Sequence, residues 1–338
     1  MKRFSVVALL LALLLVVVGP ASPQGPGVFI RTDCTTITVP VAGQTWCFDA
    51  TNNNVKYWTG SAFTVYPAAT TPISLGTTRL TQVSATSIQL GQGLLPLNVA
   101  GTWVTRPVTA AITIANTGLV ATTTYFVYAY DASGATTLVL STTGHTTNAS
   151  FGVEVFNGSS GVCTPGAYCT LVGMIRTQGS TPGQFVNSAT QRFTLSHFNR
   201  RNIGLVNNFT TSRTTASTTY VELNTEIRCE FLTWSDESVL VSYQANGSND
   251  TAGSVNSTAV GFDGTNQENS ASRSPAYAAG ARTTSSGTLL NAVVAEGYHY
   301  VTLLGAVIGV STGTWNGGAF ANDTTVREIT SLAVGIRG

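Results

Sequence analysis

The chain has 338 residues and a formal net charge of +1, and only 9% of it is charged. That balance excludes an electrostatic partnership with nucleic acid or an anionic membrane. The 34 glycines and the abundance of Thr, Ser and Asn describe many short strands joined by turns, not a helical enzyme or a disordered tail. No heptad stretch occurs, so any oligomer must be built by β domains.

Residues 1–21 read as a secretory signal. Lys2 and Arg3 precede an apolar run from Val6 to Val18, and Gly19-Pro20-Ala21 supplies the small residues a signal peptidase reads. The run is short for a bilayer span, so cleavage after Ala21 and export are expected; an uncleaved anchor is the alternative. No cysteine follows the apolar core, which argues against a lipoprotein. Residues 22–70 form a small N-terminal module, an aromatic hairpin in which WCFDATNNNVKYWTGSAFTVY turns at Asn52-Asn53-Asn54 and at Thr59-Gly60. Trp46, Phe48, Tyr57, Trp58, Phe63 and Tyr66 are read as its core in preference to a sugar-stacking surface. Pro67 to Pro72 is a linker.

Residues 73–200 read as a β-sandwich. TYFVYAY, Asp131-Ala132-Ser133-Gly134 and ATTLVLST make a strong hairpin signal, and FGVEVFNG and TLVGMIRT add strands. His145 and His197 are read as loop or packing residues, and Arg192, Arg200 and Arg201 as a solvated junction in preference to an anion site. The cysteines suit an exported chain. Cys34 and Cys47 flank one apparent hairpin, and Cys163 and Cys169 flank a Pro-Gly turn, so two local disulfides are expected. Zinc is the rival reading, but these spacings match no common zinc pattern, and no metal or other cofactor is expected.

In residues 203–338, TTYVELNTEIRCEFLTW reads as one amphipathic strand. Val221, Leu223, Ile227, Cys229 and Phe231 fall on one face, opposite Glu222, Asn224, Glu226, Arg228 and Glu230. Cys229 is then a buried free thiol. SVLVSYQANG is a second strand, and Asn246 to Ser274 is a long polar stretch with a short apolar island at Ala259 to Phe262. From Val301 to Val310, within EGYHYVTLLGAVIGVSTGTW, both alternating sets of side chains are apolar or small. Such a strand must be covered on both faces, either as an inner strand or by another subunit; Gly305 and Gly309 argue against a buried helix. Long strands with one long polar connection suit a jelly-roll sandwich. The fold class is therefore all-β: an N-terminal aromatic hairpin module, a central β-sandwich and a C-terminal jelly roll.

No catalytic constellation stands out: there is no Gly-x-Ser-x-Gly, no His-Glu-x-x-His and no phosphate-binding glycine loop. Glu222, Glu226 and Asp263 are the carboxylates a glycan hydrolase would draw on, but the chain is read as non-catalytic. Asp250 and Asp263 match no calcium loop spacing.

The last region, from TTYVELNTEIRCEF through the Gly-Tyr-His strand at 297–299 to the Gly-Thr-Trp exit at 313–315, resembles the trimeric jelly-roll heads of the tumour-necrosis-factor and complement-globular-head type. Related tips end many phage tail fibres and virion spikes. LVLSTTGH, TLVGMIRT and QRFTLSHFNRRN are similar to β modules of tailed-phage proteins, and the N-terminal hairpin is similar to those of phage fibre proteins. The resemblance implies a homotrimeric, phage-type receptor-binding protein that engages a cell-surface glycan or protein. Its contact region would be the polar loop around Asn246 to Asn269 (Asn246, Asn249, Asp250, Asp263 and Asn266), with Tyr277 and Trp315 as aromatic contacts. Residues 22–70 could then dock to other virion proteins. The export signal sets the chain apart from virion proteins assembled in the cytoplasm and keeps two alternatives open: an exported structural or adhesin-like surface protein of prophage origin, and a secreted glycan hydrolase.

Overall fold

The computed structural model describes residues 28–31, 46–49, 54–59, 61–65, 76–99, 101–148, 152–157, 169–179, 182–291, 294–318 and 329–337. The signal-like segment 1–21, the 67–72 linker, Cys34 and Cys163 lie outside them. The chain divides into two compact units, 1–72 and 73–338. The described residues are almost wholly β, as the composition predicts.

In the first unit, β1 (Val28–Arg31), β2 (Trp46–Asp49), β3 (Asn54–Trp58) and β4 (Phe63–Val65) form one sheet in that order. The β2–β3 and β3–β4 pairs are antiparallel and β1 adds to β2 in parallel; the predicted turn residues Asn52, Asn53 and Gly60 lie outside the described residues. The Trp58 and Phe63 rings meet at a tilt with centroids 5.1 Å apart. Cys47 is buried and disulfide-bonded.

The central sandwich comprises β5 (Leu80–Ser84), β6 (Ser87–Leu90), β7 (Gly93–Val99), β8 (Thr102–Val108), β9 (Ile112–Ala115), β10 (Thr124–Ala132), β11 (Ala135–Ser141), β12 (His145–Asn148), β13 (Val153–Phe156) and β14 (Thr170–Gln178), then the short β15 (Gln184–Phe185), β16 (Gln191–Arg192) and β17 (Thr194–Ser196). Its main sheet runs β11-β10-β14-β13-β12. The β10–β11 hairpin turns at Ser133-Gly134, both at positive φ, as the sequence predicts. One face of this sheet packs on the β5-β6-β9 and β7-β8 sheets through Leu80, Ile88, Leu95, Leu97, Val127 and Ile175. A second cluster joins Tyr128, Leu171, Met174 and Leu195 to Leu232 and Trp234, so the central sandwich and the C-terminal region share buried contacts. Cys169 is buried and disulfide-bonded.

The C-terminal region contains β18 (Asn202–Asn208), β19 (Arg213–Thr215), β20 (Val221–Glu222), β21 (Cys229–Thr233), β22 (Val239–Asn249), β23 (Val255–Phe262), β24 (Thr265–Pro275), β25 (Arg282–Asn291), β26 (Gly297–Ile308), β27 (Gly313–Trp315) and β28 (Ser331–Arg337). One sheet runs β21-β26-β23-β24; the other runs β18-β28-β22, with β25 on the far edge of β22. Taking its eight long strands in chain order, the sheets read second-seventh-fourth-fifth and first-eighth-third-sixth, the interleaving of a jelly roll. Leu205, Phe231, Val241, Tyr243, Val301, Leu303, Trp315 and Val334 fill the space between them.

β26 is the inner strand the sequence anticipates. Val301 to Val307 are buried on both faces within this one chain, so this stretch offers no apolar face to a second subunit. Gly305 is part of the reason. A Cβ there would sit 2.5 Å from Leu223 Cδ2 and 2.9 Å from Trp315 Cη2, so only glycine lets both side chains close over the strand.

Two expectations are corrected. The segment 221–233 is not one strand: a 3-10 turn at Thr225–Ile227, capped by Asn224 Oδ1 accepting from the Glu226 N–H, separates β20 from β21. The apolar set still points inward at Leu223, Ile227, Cys229 and Phe231, with Cys229 a buried free thiol, but Val221 is exposed. Nor is the 246–269 stretch a polar loop. It is the end of β22, a turn, the central strand β23 and the start of β24. Asn256, Ser257 and Thr258 are buried there because the core supplies partners. Asn256 donates to Ser248 O at 2.9 Å, Tyr243 Oη donates to Thr258 O at 2.8 Å, and Trp315 Nε1 donates to Thr258 Oγ1 at 2.8 Å.

Candidate functional site

The seven residues named from the sequence as ligand contacts do not assemble into one surface. Trp315 is 1% exposed, in the core. Asn249 is fully buried and donates to Asn256 Oδ1 at 2.9 Å, and Asn246 is buried, accepting from Thr284 Oγ1 at 3.0 Å. Asn246 and Asn249 tie β22 to its neighbours and Trp315 donates to Thr258 on β23, so these three side chains have no surface to offer a ligand. Asp250 and Asp263 sit just beyond opposite ends of β23, which at ~3.3 Å per residue places them some ~25 Å apart. Asp263 opens the two-residue Asp263-Gly264 turn joining β23 to β24, with both residues at positive φ. Its carboxylate lies 2.6 Å from His299 Nδ1 and accepts from the Tyr300 N–H at 2.9 Å. Asn266 stands at the same end, on β24.

Asp250 and Tyr277 do share a location. β22 and β26 both start beside the central sandwich, where Glu237 meets Arg200 and Glu296 meets His145. Both strands end far from it, and three loops are laced together there. Gly253 N–H donates to Ala276 O at 2.7 Å, Gly280 N–H to Asn249 O at 2.7 Å, and Asp250 N–H to Thr312 O at 3.1 Å. The Thr312 N–H returns a bond to the Asp250 carboxylate at 2.8 Å; that bond comes first among the hydrogen bonds that lower the Asp250 pKa. Tyr277 projects from this end 87% exposed, and Val310 is fully exposed beside a shallow pocket lined by Ala216, Thr218, Asp250 and residues 309–312. Of the predicted contacts, Asp250 and Tyr277 lie together at this distal end, while Asp263 and Asn266 stand at the opposite end of β23.

A feature the sequence reading missed is the outer face of the β18-β28-β22-β25 sheet. The ladder places Gly204, Gly335, Leu240 and Leu290 in one row, then Val206, Ala333, Ser242 and Thr288, then Asn208, Ser331, Gln244 and Ser286. None of these twelve residues is charged, and Val206, Leu240 and Leu290 are more than half exposed. The outer face of the other sheet is different. Arg228 pairs with Glu222 at 2.6 Å and lies over the Tyr300 ring, Thr302 donates to Glu222 at 2.7 Å, and Tyr298 donates to Glu230 at 2.5 Å. Burial raises the Glu222 pKa, but Arg228 and Thr302 outweigh it and hold the carboxyl low. Glu226 is paired with Arg213 at 2.6 Å. Glu222, Glu226 and Asp263, the carboxylates considered for hydrolysis, are thus each bound to a neighbouring side chain.

The junction with the central sandwich holds a histidine cluster. His145, at the start of β12, places Nδ1 2.6 Å from Glu154 and Nε2 3.0 Å from Glu296. Its pKa is raised, first by the bond to Glu296, against desolvation and with help from Glu154. Both ring nitrogens donate only in the imidazolium form, so the double contact fixes that form. His197, edge-to-face with Trp234 with centroids 5.3 Å apart, is pushed down to about 4, by burial first and then by Arg200. Arg200 itself pairs with Asp236 at 2.7 Å and Glu237 at 3.2 Å. Cys229 is pushed up to about 12 by burial, which makes it an inert thiol. No group of three or more His, Cys, Asp or Glu suited to a metal ion occurs among the described residues.

No protein-family model and no curated protein matches the chain. Among solved structures it is similar to the insecticidal delta-endotoxin Cry8Ea1 of Bacillus thuringiensis (10% identity, TM-score 0.21, covering 76% of this chain and 51% of that one). It is also similar to a structure of infectious bursal disease virus, Gx strain (10% identity, TM-score 0.25, covering 86% and 71%). A third is the mosquito-larvicidal Cry4Aa toxin of the same Bacillus (7% identity, TM-score 0.20, covering 77% and 51%). The chain spans about half the length of the two toxins, and at these TM-scores the likenesses bear on neither mechanism nor partner.

Proposed function

We propose that the chain is a non-catalytic appendage or surface protein that self-associates through its C-terminal jelly roll and presents the distal loops to a cell-surface ligand, glycan being the expected class. The observation that carries this reading is the uncharged middle of the outer face of β18-β28-β22-β25, three rows of the ladder with Arg337 beyond one end and Arg282 beyond the other. A sheet face of this size in a monomer ordinarily carries charges, as the opposite sheet does. These rows meet their own copy with no buried unpaired ion, Arg282 and Arg337 being left at the rim, and the exposed Leu240 and Leu290, directly paired across β22 and β25, supply the apolar contact. Because these strands run from the junction to the distal end, copies packed about an axis along them gather their loops at one end, where several weak contacts add as avidity. The trimer suggested by the resemblance is the proposed state, with this face, not β26, as its interface.

Ligand binding is tested on a glycan array with the full chain and with Tyr277→Ala combined with Asp250→Ala. Binding by the parent chain that the double variant loses supports the distal loops. Binding that the variant keeps removes them as the contact, and no binding to any glycan removes the glycan class.

A further inference from the structure

Where the central sandwich meets the jelly roll, an open cavity of about 410 Å³ lies beside the histidine cluster. Four separate parts of the chain supply its polar wall: Glu154 on β13, Asn199 between β17 and β18, Asp236 between β21 and β22, and Arg337 at the end of β28. Pro96, Val153 and Phe198 form its apolar wall. This volume, and this mixture of apolar surface with a few convergent polar groups, are those of a small-molecule site. Two local costs are retained in the same wall. Asn199 holds a left-handed backbone at φ 50°, which few non-glycine residues adopt. His197 buries Nδ1 with no hydrogen-bond partner, an uncommon state for a buried polar atom.

The charges in this wall are unequally matched. Glu154 lies 2.6 Å from His145 Nδ1, and Asp236 accepts from Arg200 at 2.7 Å. The Asp236 side chain is nevertheless 68% exposed, and that bond ends on one of its two oxygens. Arg337 is exposed, and its guanidinium has no ion pair or hydrogen bond among the described residues. A ligand that completes the wall therefore brings an anion for Arg337 and hydroxyl donors for Asp236. A carboxylate meets a guanidinium through paired N–H donors. A carboxylate side chain only accepts, so it suits hydroxyl groups. A sugar acid carries both functions on one ring. We infer that the cavity binds an acidic sugar of the uronic- or sialic-acid class, with its carboxylate on Arg337 and its hydroxyls toward Asp236 and the Asn199 amide. The site lies at the junction and needs neither the distal loops nor self-association.

The test is isothermal titration calorimetry of the full chain with sodium glucuronate and with sodium N-acetylneuraminate, glucose serving as the uncharged control and acetate as the bare carboxylate. The expected result is saturable binding of at least one sugar acid and none of glucose or acetate over the same range; the acid that binds more tightly identifies the class. Arg337→Gln, a change at an exposed strand end, weakens the affinity about tenfold or more, the loss expected for charge-assisted hydrogen bonds. Asn199→Gly keeps the left-handed backbone and weakens binding in the same direction. Tyr277→Ala combined with Asp250→Ala binds the acid as the parent does, which separates this cavity from the distal loops. No saturable binding of either acid, glucose binding as tightly as the acids, both wall variants binding as the parent does, or loss of binding in the distal double variant would overturn the site.

Discussion

The two sheets of the jelly roll are built from the same alternation, yet their outer faces are finished differently. On β21-β26-β23-β24 the outward side chains satisfy one another: Glu222 with Arg228 and Thr302, Glu230 with Tyr298, and Leu304 and Ala306 covered. On β18-β28-β22-β25 the three middle rows of outward positions hold small, polar or apolar residues without a charge, with Val206, Leu240 and Leu290 exposed, and Arg282 and Arg337 stand only at the ends of the face. The first sheet is completed inside one chain. The second is the face we propose as the contact between copies. The apolar character that is conspicuous in the sequence, in β26, belongs to the finished sheet. The unfinished one is written in small residues that look unremarkable strand by strand.

The largest expected effect comes from breaking the core the two sheets share. Trp315→Ala removes the largest fully buried side chain among the described residues and the shorter of the two hydrogen bonds that Thr258 Oγ1 accepts, and should destabilise by about 3–5 kcal/mol in chemical denaturation. Gly305→Val forces Leu223 and Trp315 aside and should cost about 1–3 kcal/mol by the same measurement.

The junction should respond to pH in two opposed directions. The folded pKa of His145 is raised, so its contribution is fully present below the ordinary value of 6.5 and is lost as pH rises through the raised value. The folded pKa of His197 lies near 4, so between 6.5 and about 4 the unfolded chain binds the proton first and stability falls with falling pH. Stability should therefore peak near neutrality. His145→Gln should flatten the alkaline side of the profile, and His197→Gln the acid side above pH 4. A parent profile lacking either limb contradicts the corresponding assignment.

On the finished face, Glu222→Gln should cost about 1 kcal/mol or less, because its pair with Arg228 is partly exposed. The smallest effect belongs to the distal end. Tyr277→Ala should leave stability within about 0.5 kcal/mol while changing only ligand binding.

Much of the architecture can be read from the residues. The Ser133-Gly134 hairpin, the inward set at Leu223, Ile227, Cys229 and Phe231, and the two-faced burial of Val301 to Val307 follow from local periodicity. The error at 246–269 came from treating polar residues as loop residues. Asn256 and Thr258 are core because Ser248, Tyr243 and Trp315 meet them, and those partners are set by the pairing of distant strands. A local signal was nonetheless present: Asp263-Gly264 between two runs is the dipeptide of a tight hairpin. The His145–Glu296 contact joins residues 151 apart in the chain, and the uncharged face requires knowing that β18, β28, β22 and β25 lie side by side. Neither is carried by any single stretch.

The most direct measurement is the solution mass of the full chain by light scattering after size exclusion, alongside Leu240→Asp combined with Leu290→Asp. The account predicts a mass of three chains for the parent and of one chain for the variant, whose unfolding should remain cooperative because both side chains point outward. A single-chain mass for the parent, or three chains retained by the variant, would contradict the claim that this sheet face is where copies of the protein meet.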